Sequence, residues 1–184
     1  MAGWKRSVRA HHEAGHAVIA RVLGINFNPN VPVTAGADAP CVVTESAGYR
    51  ARTLGIEAEL QGHENDGKVA LAGLAAQRRS HPDQTTELIP DEDEGDIANA
   101  EAIARTVAVL RASVPAPEDG VLRDPTILAD AQETFDRLVR ETDALIGKHW
   151  PAIKRVARAL ENQDSIDQAE VDRLIVLIER HVTR

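Results

Sequence analysis

The chain has 184 residues, 43% of them hydrophobic and 27% charged, with a formal net charge of -8. That profile belongs to a soluble globular chain with enough length for one ordinary domain, and it excludes a disordered segment. The acidity excludes a general nucleic-acid binder, which needs a basic surface to displace counterions.

Aromatic residues make up only 3%, so the core must be built from Ala, Leu, Ile and Val, which suits closely packed helices. The single cysteine, Cys41, permits neither an intramolecular disulfide nor a thiolate metal site. A reducing, cytoplasmic setting is the expectation. No stretch approaches the roughly 18 apolar residues of a membrane span. The N-terminus lacks the apolar run of a secretory signal.

Ser7 to about Leu23 reads as a helix, because Val8, His12, His16, Ile19 and Leu23 recur at three- and four-residue steps. Gly24 follows as its stop. From Asn26 to about Arg52, Pro29, Pro32, Pro40, Gly36 and Gly48 forbid a long helix. The β-prone pieces Val31 to Thr34 and Cys41 to Thr44 predict one or two short strands, or a hairpin. A small-sided apolar helix is expected from Asp66 or Gly67 to Arg79, ended by His81-Pro82. An acidic loop follows from Asp83 to Gly95, then a helix from about Asp96 to Ala112.

Pro115, Pro117 and Gly120 mark a loop dividing a metal-site lobe, about 1–115, from C-terminal helices, about 124–184. Asp124-Pro125 caps the first of these. Trp150-Pro151 is expected to start a separate, shorter helix. Asp167 to Glu170 resembles a capping box at the head of the last helix. The spacing Gly62 to Lys68 matches the phosphate-loop pattern G-x-x-x-x-G-K. Val69 stands where the magnesium-binding hydroxyl is required, so a polar stretch entering a helix is the better reading.

His12-Glu13-Ala14-Gly15-His16 is an H-E-x-x-H pattern on a segment that is helical on other grounds. Positions i and i+4 of a helix stack on one face, so both imidazoles can reach one zinc ion. Glu13 lies one step round, where its carboxylate can meet a water activated by that ion and act as general base, then pass the proton to a leaving amine. The bland alternative is two half-buried histidines on a helix face. Ala14 and Gly15 are small enough to let another element press on the helix. His11 points about 100° away and is left out.

A catalytic zinc needs a third protein ligand and an open position. Spacing does not choose among Glu64, Asp66, Asp91, Glu92, Asp93, Glu94, Asp96 and Glu101. A solvated loop explains most of the acidic run. Asp96 differs in starting a periodic helix, although N-capping explains it equally well.

His12 to Val18 resembles the opening motif of the FtsH-type peptidase domain, a family of zinc metallopeptidases. Leu71-Ala72-Gly73-Leu74-Ala75-Ala76 is similar to that family's small-residue helix. Gly95 to Ala100 is similar to the motif carrying its third zinc ligand. Leu145 to Ile178 resembles its C-terminal helices. The resemblance implies a mainly α, zincin-like helical domain with a small hairpin or edge strand and a C-terminal bundle. It implies Zn2+ held by His12, His16 and Asp96, with Glu13 as catalytic base. It also implies a polypeptide substrate, unfolded or extended, added along that edge strand.

The chain carries no ATPase module or membrane anchor of the family's kind. A separate ATPase partner or a homo-oligomer would stand in for the first. The segment from Val31 to Tyr49 departs from the family, and Gln77-Arg78-Arg79 stands where acidic residues are usual. A catalytically inactive interaction or regulatory module is therefore the alternative. A zinc hydrolase of a small amide, or of a single site in a partner protein, is the weaker third reading.

Overall fold

Helix dominates, as a core short of aromatic rings requires. The computed structural model describes residues 2–27, 32–35, 47–82, 90–112 and 124–176. The elements are α1 (Ala2–Val22), β1 (Val33–Thr34), α2 (Ala47–Ala51), α3 (Ile56–Ser80), α4 (Pro90–Arg111), α5 (Pro125–Asn162), β2 (Ser165–Ile166) and α6 (Gln168–Val176), with a 3-10 turn over Arg52–Leu54. No helix among the described residues is long and apolar enough to cross a membrane. The chain gathers into two compact units, one of residues 1–44, 72–88 and 143–184, the other of residues 45–71 and 89–142.

In the first unit α1 is buried without interruption from His12 to Ala20. Ala14, Gly15, Ala17 and Ala20 within it are small enough to let neighbouring elements approach closely. A Cβ on Gly15 would overlap the carbonyl oxygen of Ala72 and lie 2.8 Å from Ala76 Cβ, so the backbone of α3 packs directly on α1. Gly24 ends α1 at φ +75°, a left-handed conformation that costs glycine little. The Ile25 and Gly24 amides donate to Ala20 and Arg21 carbonyls at 2.8 and 3.1 Å, the paired bonds of a Schellman cap. The Arg21 guanidinium then binds Asp172 of α6 through two bonds, 2.7 and 3.2 Å long.

β1 pairs antiparallel with β2, Val33 opposite Ile166 and Thr34 opposite Ser165. The strand partner thus comes from the far end of the chain rather than from a local hairpin. The other β-prone piece, Cys41 to Thr44, lies outside the described residues. Asp167 caps α6 as expected, accepting the Glu170 amide at 2.8 Å.

The separate helix expected at Trp150-Pro151 is not observed: α5 runs through Pro151. A proline inside a helix loses one backbone bond and costs about 3 kcal/mol. Ile146, Ile153, Val156, Ala157 and Leu160 are all essentially fully buried on the same helix. Each large aliphatic burial contributes roughly 1.5–3 kcal/mol, so the apolar stripe outweighs the break.

In the second unit, Ala70, Leu71, Ala100 and Leu138 form the core with Phe135 and Val139 against it, and Ala108, Ile127 and Ala131 form a satellite with Val109. α3 begins about ten residues before the expected start. Gly62 weakens a helix by propensity, but a Cβ there would lie 2.6 Å from the backbone of Ala47 and Gly48. Close packing of α2 explains both the glycine and the longer helix. The phosphate-loop pattern lies wholly inside α3. Asp124 caps α5, accepting from the Thr126 amide at 2.8 Å and its hydroxyl at 2.6 Å.

α4 also starts early, at Pro90. The acidic run is therefore the first turn of a helix and not a loop. Proline suits the first helical position. Asp96 consequently sits inside α4 and is not its N-cap.

Candidate metal centre

Helix spacing alone brings His12 and His16 together. Both are buried, 4% and 8% exposed. Their rings meet edge to face with centroids 4.7 Å apart, and the two Nε2 atoms lie 3.0 Å from each other. Two zinc–nitrogen bonds of about 2.0–2.1 Å at a tetrahedral angle would separate their nitrogens by roughly 3.4 Å. The imidazole pair is thus close to the spacing of two ligands of one ion.

His12, His16 and Asp96 each offer a ligand atom, and these atoms all lie within 4.8 Å of one another, so the three could hold a metal ion. Among the described residues no other group of three or more His, Cys, Asp or Glu side chains does this. Two imidazoles and a carboxylate are a donor set that suits zinc and other borderline divalent ions.

A cradle supports the same reading. A Cβ on Gly73 would overlap His16 Nε2 and lie 2.7 Å from His12 Nε2. Only glycine lets α3 pass this close to the converging nitrogens. Gln77, one helical turn further on, is 3% exposed, and its side-chain oxygen accepts from His12 Nδ1 at 3.1 Å. Metal-binding histidines characteristically donate their second nitrogen in this way. Glu13, next to His12, is only 6% exposed. A glutamate so deeply buried in an alanine-rich helix is uncommon outside paired or functional positions.

The other acidic candidates have different roles. Glu64 accepts from Arg137 and Arg111, both at 2.7 Å. The Arg137 hydrogen bond foremost, then both guanidinium charges, hold its carboxyl below the ordinary 4.5 despite burial. Asp66 accepts the Ala47 and Gly48 amides at 2.8 and 3.1 Å and so caps α2. Glu101 is exposed and pairs with Arg105 at 3.3 Å. The side chains of Asp91, Glu92, Asp93 and Glu94 lie outside the described residues. His11 stacks on Trp150 at 5.8 Å and donates from Nδ1 to the Ser7 carbonyl at 2.9 Å, which accounts for it without a metal.

Gln77 is the residue that sequence reasoning missed. Its signal was a polar side chain four residues after Gly73 on an otherwise apolar, small-sided helix face. Compared with known proteins, the chain matches no protein-family model and no curated protein.

Proposed function

We propose that this chain is a zinc-dependent endopeptidase domain of the FtsH-like kind, with His12, His16 and Asp96 as metal ligands and Glu13 as general base. The observation that carries the reading is the convergence of those three ligand atoms within 4.8 Å. A zinc ion held there would supply Lewis acidity and lower the pKa of a nearby water toward 7. The rest of the chemistry falls to the chain. Glu13 takes the proton of the attacking water as its oxygen adds to the scissile carbonyl. It then returns that proton to the departing amine nitrogen, so the carboxylate is regenerated.

The substrate is an unfolded or extended polypeptide, which could add to β1 by main-chain hydrogen bonds. The acidic surface disfavours nucleic acid. The cytoplasm is the compartment in which a chain with one cysteine needs no disulfide.

The test loads the purified protein with zinc and incubates it with casein. Cleavage by the wild type and its loss in Glu13→Gln, with zinc content unchanged, is the expected result. Equal cleavage by both proteins would remove Glu13 as the base. One zinc per chain with no cleavage of any unfolded substrate would leave an interaction module in place of an enzyme.

A further inference from the structure

We infer that Gln77 is a positioning residue, which fixes His12 in the tautomer whose Nε2 lone pair faces the metal site. The inference deepens the zinc-site reading and rests on it for its consequence in affinity. His12 Nδ1 and Gln77 Oε1 are 3.1 Å apart, both side chains being buried. An amide oxygen has no hydrogen to give, so the ring nitrogen is the donor. A neutral imidazole carries a single N–H. With that hydrogen on Nδ1, Nε2 presents a lone pair, and Nε2 is the atom that lies 3.0 Å from His16 Nε2.

The opposite amide orientation would do the reverse. With the Gln77 amide nitrogen toward the ring, Nδ1 would accept and the hydrogen would move to Nε2, which could no longer ligate a cation. The direction of one buried amide therefore decides whether His12 is a ligand. Gly73 and Gln77 are four residues apart on α3 and share one face. The glycine removes the Cβ that would overlap the imidazole nitrogens, and the glutamine reaches the ring from one turn further along. A glutamine does this without bringing a charge into a buried site, where an unpaired charge is costly.

Two measurements decide the matter. The first is the long-range 1H–15N correlation spectrum of the metal-free protein at fixed neutral pH, with His12 assigned by its absence in His12→Gln. The wild type should show His12 with its hydrogen on Nδ1. Gln77→Met, which keeps length and removes the acceptor, should shift His12 toward the Nε2–H form. Gln77→Glu, which restores an acceptor, should return the Nδ1–H signature.

The second measurement is zinc affinity by competition with a chromophoric chelator. Gln77→Met should bind 10–100-fold more weakly, the usual cost of losing such a partner, and Gln77→Glu should recover wild-type affinity or better. Circular dichroism controls for folding, and Gln77→Leu is the substitute should Gln77→Met not fold. An unchanged His12 tautomer together with zinc affinity within twofold of wild type in Gln77→Met would overturn the inference. If the wild type takes up no zinc, the metal reading falls separately, and the tautomer spectra still decide whether Gln77 sets His12.

Discussion

Two groups of buried or half-buried polar side chains in this protein obey opposite rules. Around Glu64, opposite charges meet: Arg137 and Arg111 both bind its carboxylate at 2.7 Å, and Lys68 binds Glu141 at 2.7 Å. Around His12, two imidazole Nε2 atoms lie 3.0 Å apart against Gly73, which has no Cβ to overlap them. A structural cluster neutralises itself, because a desolvated charge is stabilised by a counter-charge. A ligand set instead converges on a shared point that a cation would occupy. The contrast separates Glu64, which braces α3, from Asp96, which offers a ligand atom within 4.8 Å of those of the two histidines, although spacing along the chain does not choose between them.

The comparison can be broken most sharply at Glu13. Glu13→Gln should lower peptidase turnover by at least 10²–10⁴-fold, the range of general-base catalysis, with zinc content and helicity retained. Asp96→Asn or His16→Ala should instead lose the metal itself, read by elemental analysis after dialysis. Gly73→Ala should abolish zinc uptake and destabilise the fold by about 1–3 kcal/mol, because a methyl group has no room beside the two imidazoles. Chelation of the wild type should end activity yet leave the far-ultraviolet circular dichroism of the helices in place. An unfolded apo protein would place the metal in the structural class.

The Glu64 cluster should respond differently. Glu64→Gln should cost about 1–2 kcal/mol by chemical denaturation and leave zinc content untouched. The folded Glu64 carboxyl titrates below its ordinary value of 4.5. Its ionised form is therefore favoured by folding, and the contribution is complete above the unfolded value. It is lost as pH falls through the folded value. The stability gap between wild type and Glu64→Gln should accordingly be constant near neutral pH and shrink below about 4.5. Smallest of all, Arg105→Ala removes an exposed pair with Glu101 and should change stability by no more than about 0.5 kcal/mol.

Local order was legible wherever the deciding interaction lies within a few residues. The His12–His16 pair follows from helical pitch, the Gly24 stop from its positive φ, and the Asp124 and Asp167 caps from side chains bonding amides two or three residues on. α5 runs through Pro151 and α3 starts about ten residues before Asp66. In both, burial or close approach by a distant element outweighs a local breaker, and no local pattern records the strength of that packing.

The amino-acid sequence by itself determined a helical, aromatic-poor fold and two imidazoles stacked one turn apart, because both are consequences of short-range geometry. Tertiary structure alone decided the rest. It set a ligand atom of Asp96 within 4.8 Å of those of His12 and His16, turned Gln77 toward His12, paired β1 with a strand more than a hundred residues away, and carried α5 through its proline. Those outcomes depend on which surfaces are pressed together, and contact between residues remote along a chain leaves no periodicity to read.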